Sequence, residues 1–532
     1  ALATALVSVD WETLPYKPFD GRRSSTAWRR ARHVQKQRRW QRILAWALVA
    51  LVAIVGTFYF FSVRKDRAAT DSVAVLPFGN QTGDPQFAYL TDGVTESLIN
   101  DLSRIPTVRV SARGSVLKYG NKSIDARTAG HELGVSRIVS GSVSRQGDTF
   151  SFYVELIDVD SGMRLWGNRY SGNMAALTTT LQQFSTAVTD QLRLKLSRPL
   201  KERIARQFAV DSESYQKYLK GRFHLNQRTS AGFREAIRYF NQAIASNPNY
   251  APAYSGLANT YSVMAIFGSA YGGEIPALAL RQARTAADHA LELDSTLAEA
   301  YAARGRAEMQ GDYDWMAAEQ DFQRAIQLDP NWPEAHEYYA FDLGASGRFE
   351  EAVREVDTAA HLEPKSVGIT LAKGLILHMA NRQDESLSVL KKLATDPVGR
   401  GLAVDYIAED YWVKGMPEEA RIVIETAPPT LPSHLRIPLL TAAYAHLGQY
   451  ERAREILKSY AVQPESTWWY YLVLAHLALR NTDEALTNLE QAYEQRYGEV
   501  IWLSVDPMLT ALHDHPRFRA LLRSVQHTKA KG

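Results

Sequence analysis

The chain is 532 residues long, 45% hydrophobic and 22% charged, with 61 Lys and Arg against 58 Asp and Glu. That is ordinary folded-protein composition with room for roughly three or four domains, and the net charge of +3 carries no global nucleic-acid signature. The absence of cysteine excludes disulfide staples, thiolate zinc sites and cysteine nucleophiles.

Residues 1–42 read as a basic juxtamembrane segment: nine Lys and Arg and no acid lie between Arg22 and Arg42. Ile43–Val63 is 21 residues long and holds no charged residue, His, Asn, Gln or Pro. As a helix it spans about 30 Å, the hydrocarbon thickness of a bilayer, and residues 43–63 are therefore predicted to form a transmembrane helix. Trp40, Trp46 and Phe58-Tyr59-Phe60-Phe61 place aromatic rings near its two ends, where interfaces attract them. Only Arg64, Lys65 and Arg67 follow it, with Asp66 among them, so the positive-inside bias keeps the head cytoplasmic and sends the body across. The first residue is Ala rather than Met, which is expected of a fragment or a processed chain.

From Asp71 the pattern changes. Ser72–Phe78 reads as a short buried strand closed by Pro77 and Gly79. Leu90, Val94, Leu98 and Leu102 mark a helix at a period of about 3.6. Thr107–Ser111 is strand-like, and Asp125–Leu133 reads as a second helix, capped by Asp125 and stopped at Gly134. Arg137–Val143, Thr149–Ile157 and Gly162–Tyr170 are β-branched and aromatic runs separated by Gln146-Gly147-Asp148 and Asp160-Ser161-Gly162 turns. The order β-α-β-α-β-β-β predicts a small α+β domain over residues 71–172. Val73-Ala-Val-Leu-Pro-Phe78, Leu90-Thr-Asp-Gly93, Gly130-His-Glu-Leu-Gly-Val135, Gly141-Ser-Val143 and Leu165-Trp-Gly167 together resemble the TolB amino-terminal, or FlgO-like, domain of bacterial proteins. The resemblance implies no enzymatic activity for this domain. It also implies a neighbouring anchor and repeat array, and in some relatives an upstream Ser/Thr kinase, winged-helix or cyclase domain.

Residues 173–211 are predicted to hold an amphipathic linker helix, striped by Leu181, Phe184, Val188 and Leu192. Over residues 212–500 a small residue recurs at Ala236, Ala283, Ala318, Ala352, Ser386, Ala420, Ala453 and Ala485, in steps of 47, then 35, 34, 34, 34, 33 and 32. The period, with Phe or Val at +4, Ala at +7 and Pro at +12 in the best copies, is similar to that of the tetratricopeptide repeat, and predicts about eight helical hairpins. The long first step implies an insertion near Ala265–Glu274, as a loop or as an extension of both helices. Residues 501–532 read as a C-terminal cap and tail, from Trp502-Leu-Ser-Val-Asp-Pro507 to His515-Pro-Arg-Phe518. The fold class expected is thus an α+β small domain followed by an all-α tetratricopeptide superhelical solenoid, with one N-terminal transmembrane helix.

No catalytic constellation is present. The chain lacks a G-x4-G-K-[ST] phosphate loop, a G-x-G-x-x-G after a strand, and a kinase catalytic pair. His513 and His515 point about 200° apart on a helix and make no metal site. No catalytic residue, cofactor or metal is expected, and no nucleic-acid partner. The position after the small residue of each first helix supplies Arg222, Asn259 and Arg306, followed by Phe341, Leu375 and Glu409. The first three are candidate peptide-groove residues, two guanidiniums flanking an amide and suited to an acidic ligand. The expected function is a non-enzymatic scaffold or sensor, anchored through residues 43–63, that binds protein or peptide partners. The alternative is the sensory and anchoring portion of a receptor-type Ser/Thr kinase or winged-helix regulator, a reading helped by the likeness of the basic head to kinase juxtamembrane stretches. The expected localisation is the bacterial inner membrane, single-pass, with the N-terminus cytoplasmic and the body periplasmic.

Overall fold

Val73, Ala74 and Val75 are fully buried because they form the central strand β1 (Ser72–Val75) of a mixed sheet. The computed structural model describes residues 72–105, 107–120, 125–192, 202, 208–267, 276–395, 397–429, 431–460 and 469–526. The sheet order is β3-β1-β4-β5-β6, and β2 (Gly79–Gln81) pairs beside β4. β1 runs parallel to β3 (Arg109–Val110) and to β4 (Arg137–Gln146). β4, β5 (Thr149–Asp158) and β6 (Arg164–Asn173) form an antiparallel meander. Its turns place Gly147 and Gly162 at φ of 60° and 69°, where a side chain would be strained.

Helix α1 (Ala88–Ser103) lays Leu90, Val94, Leu98 and Leu102 into this core. Two shorter helices follow it: α2 (Arg113–Val116) and α3 (Ala126–Leu133). The Asp125 carboxylate accepts from Thr128 N at the start of α3, and Gly134 ends it in the left-handed conformation. The stretch expected as a linker holds α4 (Leu177–Gln191), whose apolar stripe joins the same core. Phe184 packs edge-to-face on Phe78 and Tyr170, so α4 belongs to the layered α+β part. Close packing is tight at Gly141 on β4, where a Cβ would lie 2.2 Å from Tyr153 O and 2.3 Å from Phe78 Cε1. Gly141→Ala is expected to destabilise by about 1–3 kcal/mol, read as a lowered denaturation midpoint.

Among the described residues eight helical hairpins follow. In order they are Ser212–Leu225 with Ser230–Ser246, Ala251–Phe267 with Pro276–Leu293, Ala298–Arg306 with Trp315–Leu328, and Pro333–Ala345 with Phe349–Leu362. Then come Val367–Met379 with Gln383–Leu390, Val404–Val413 with Pro417–Glu425, Ser433–His446 with Tyr450–Lys458, and Trp469–Ala478 with Thr482–Glu494. All eight recurrent small residues, Ala236 through Ala485, are fully buried. The large partners fill the space they leave: Phe240 is the near neighbour of both Gly221 and Gly256, and Phe322 of Gly305. The helices on either side of the insertion in repeat two are 17 and 18 residues long, and residues 268–275 of the insertion lie outside the described residues.

Both ends of the array are closed by other parts of the chain. Tyr215, Leu219, Tyr250 and Ala253 of the first two repeats share one continuous core with β1 and α1, so the α+β part covers the first repeat. At the far end, residues 495–525 return to the middle repeats. Trp502 stands edge-on to Phe341 at 5.9 Å, Gln310 Nε2 donates to Arg496 O at 2.7 Å, and Trp315 Nε1 donates to Val525 O at 3.0 Å.

The expected inner-membrane localisation is overturned: among the described residues no helix is long and apolar enough to cross a membrane. The physical reason is visible in the 18-residue helix Pro276–Leu293, which carries Arg281, Arg284, Asp288 and Glu292 along its length. The 43–63 segment that carried the single-pass expectation lies outside the described residues.

Candidate functional site

The first helices of the array face α1, and the charged residues of that face meet there. Glu96 on α1 is buried, and its Oε1 accepts from Arg222 Nε at 2.7 Å, with a second bond from Arg222 Nη2. Asn226 Nδ2 donates to Glu96 Oε2 at 2.7 Å. Arg222 also pairs with Glu299 of repeat three through Nη1. Glu299 in turn accepts from Asn259 Nδ2 at 2.6 Å and from Ser255 Oγ at 3.1 Å. Burial works to raise the Glu96 pKa, and the guanidiniums of Arg222 and Arg113 overcome it and hold the carboxyl below its ordinary value. Burial likewise opposes the Arg222 charge, and Glu299 and Glu96 outweigh it, so the guanidinium stays protonated. One turn earlier, Gly93 lets α1 approach closely: a Cβ there would lie 2.7 Å from Leu219 Cδ2.

The structure therefore brings Arg222 and Asn259 together through Glu299, and separates Arg306 from them. Arg306 is buried, its guanidinium lies 4.7 Å from the Tyr338 ring centroid, and burial lowers its pKa. Its Nε and Nη1 have no hydrogen-bond partner among the described residues. Beside the Glu96–Arg222 pair lies a cavity of about 490 Å³, within the range of ligand sites, with Arg104, Asn249, Asp294 and Trp332 in its wall. The buried Tyr250 hydroxyl, also in this wall, has no hydrogen-bond partner among the described residues.

A second charged cluster lies where the C-terminal segment closes on repeats five, six and eight. His378 Nδ1 lies 2.8 Å from Asp410 Oδ1, and its Nε2 lies 3.7 Å from Glu409 Oε2. Tyr470 donates to Asp506 Oδ2 at 2.6 Å, and Tyr471 donates to Asp405. Burial, then the neighbouring Asp506, Asp405 and Asp410, push Glu409 well above the carboxylate range. Burial lifts Asp405 to about 6 against the Tyr471 hydroxyl. Among the described residues no group of three or more His, Asp or Glu has an arrangement that could hold a metal ion.

Sequence reasoning missed Glu96, Glu299 and Asp506. Glu96 sits about 200° around the helix from the apolar stripe residue Val94, where an acid reads as solvated. Its partner is 126 residues away, so no local pattern marks the pair.

No family model matches the chain. Over 230 residues it is 32% identical to "Putative adenylate cyclase 3" of Rhizobium meliloti, covering 43% of this chain and 38% of that protein. Over 253 residues it is 25% identical to the transcriptional regulator HilA of Salmonella typhimurium, covering 46% of this chain and 44% of that one. The chain spans less than half the length of these curated relatives. Among solved structures it is similar to yeast Tom70, with 13% identity, coverage of 67% and 79%, and a TM-score of 0.36. A tetratricopeptide repeat protein from Parabacteroides merdae gives 14% identity, coverage of 59% and 99%, and a TM-score of 0.33. The two structural likenesses are too distant to carry an argument about this chain, whose repeat architecture rests on its own helical hairpins and their period.

Proposed function

We propose that the chain is a non-enzymatic scaffold or sensor that binds protein or peptide partners through its repeat array and α+β part, with Arg222, Asn259 and Arg306 as groove residues. The observation that carries this reading is the docking of α1 on the first repeats. That surface already receives a helix and clamps a carboxylate from it by charge-assisted bonds, and it leaves a cavity of about 490 Å³ alongside. A side chain of a partner enters that cavity past Arg104 and Asn249. Crosslinking and pull-down with the full chain test this. Arg104→Glu and Asn249→Trp, at the cavity wall and outside the Glu96–Arg222 network, are expected to reduce capture at least about tenfold. Capture unchanged by both variants sinks the reading.

A second reading is that the chain is the sensory portion of a longer regulator carrying a Ser/Thr kinase, a winged-helix domain or a cyclase. It is supported by partial matches to a protein named as an adenylate cyclase and to a transcriptional regulator. Sequencing the coding region upstream of Ala1 tests it; a stop codon followed directly by a start codon there removes it.

A further inference from the structure

The two edges of the sheet are unlike. β3, at one edge, is two residues long, and repeat four covers its approach: Asn331 Nδ2 donates to Ser103 O at 2.7 Å and to Val108 O at 3.2 Å. β6, at the other edge, is ten residues long and, among the described residues, pairs with β5 alone. Natural proteins protect long edges with proline, lysine, inward-pointing charge or a covering element. The strand Arg-Leu-Trp-Gly-Asn-Arg-Tyr-Ser-Gly-Asn contains no Pro, Lys, Asp or Glu. Its one irregularity is the register shift opposite Leu156 and Ile157, which leaves Leu165 unpaired and the run Trp166–Asn173 regular. Met163 and Leu165 stand 65% and 53% exposed at that end, and the half-buried Trp166 offers an aromatic shelf across from Leu156.

We infer that β6 is a strand-addition site that takes an extended, acidic peptide segment of a partner protein. Charge selects the occupant. The only charged residues of β6 are Arg164 and Arg169, both exposed, and neither is ion-paired among the described residues. Arg164 Nη1 donates to the Tyr153 hydroxyl at 3.1 Å, which holds it at the strand. A second copy of β6 would bring two more arginines and no acid into the same seam, and like charges in facing strands are unfavourable. An incoming strand with acids at alternate positions pairs with both arginines while its main chain pairs with the edge N–H and C=O groups of β6, displacing the Asn168 Oδ1 that accepts from Arg169 N at 2.9 Å. The inference shares with the proposed function only the premise that the chain binds protein. The site is a different one, and the test below reads β6 whatever happens at the cavity.

The experiment uses the full chain and a short fluorescent peptide of alternating Glu and Val. Controls are its Lys-for-Glu counterpart and two Glu–Val peptides N-methylated at alternate residues, one on each edge. The Glu–Val peptide is expected to bind and to slow amide exchange over residues 166–173. The Lys peptide and one of the two methylated peptides should fail. Arg164→Glu with Arg169→Glu should weaken binding about tenfold without moving the thermal midpoint, and the Gln pair should fall between. Absence of binding, equal binding of both methylated peptides, equal binding of the Lys peptide, or protection confined to other elements overturns the inference. So does a dimer in which β6 is protected before peptide is added.

Discussion

As pH rises from about 4 through about 6, the C-terminal closure of the array is expected to loosen, with faster exchange over residues 498–512 and a falling denaturation midpoint. The groups facing one another there are Asp405, Glu409 and Asp410 of repeat six, His378 of repeat five, Tyr470 and Tyr471 of repeat eight, and Glu499, Asp506 and His513 of the returning segment. Burial raises Asp405, Glu409, Glu499 and Asp506, so in this pH range the folded state binds more protons than the unfolded one. A raised carboxyl contributes a penalty that grows as pH rises from its unfolded value through its folded one. Asp405, lifted from 3.8 to about 6, alone corresponds to about 3 kcal/mol across that window. Glu409→Gln removes a carboxyl that is 1% exposed, keeps its shape, and should raise stability at the upper end and flatten the pH profile. A midpoint that is flat or rising over the same range in the parent chain refutes this account of the seam.

Arg222→Met is expected to cost about 3–5 kcal/mol and to accelerate exchange in α1, because it leaves the buried Glu96 and the half-buried Glu299 without their shared cation. Adding Glu96→Gln should restore part of the loss by removing one of the two stranded charges. Glu96 contributes with the opposite sign to the carboxyls of the C-terminal seam, whereas burial raises its neighbour Asp92 on the same helix. Glu96 is held below its ordinary value, so its contribution is complete above the unfolded carboxyl pKa and is lost as pH falls through the folded one. Protonation of Glu96 in acid should therefore weaken its bonds to Arg222 and Asn226, and base should loosen the C-terminal segment. An Arg222→Met variant within about 1 kcal/mol of the parent would assign the network to specificity rather than stability.

Elements governed by local periodicity were legible from residue order. The buried Ala236-to-Ala485 series, the Asp125 and Gly134 ends of α3, and the hairpin of β4 with β5 each follow from contacts within one helix turn, one hairpin or one repeat. The stripe of α4 was equally plain, but the sheet that receives it was not, since an amphipathic face specifies that it will be covered and not by what. The candidate groove was legible only as a list of positions. Arg222, Asn259 and Arg306 occupy equivalent places in successive repeats, and their different fates depend on charges delivered from α1 and repeat three.

Residue order by itself determined a small α+β part and a chain of helical hairpins, because periods of 2, about 3.6 and about 34 residues are set by neighbours along the chain. Tertiary structure alone decided that both ends of the array are closed, by α1 over the first repeats and by Trp502 and its neighbours over repeats three to eight. The far closure depends on small rotations accumulated from repeat to repeat, which bring Trp315 and Val525 together across 210 residues, and the near one on the docking of α1, which brings Glu96 to Arg222 across 126. No local pattern encodes such a sum, and so acids that look solvated in the sequence are buried partners in the fold.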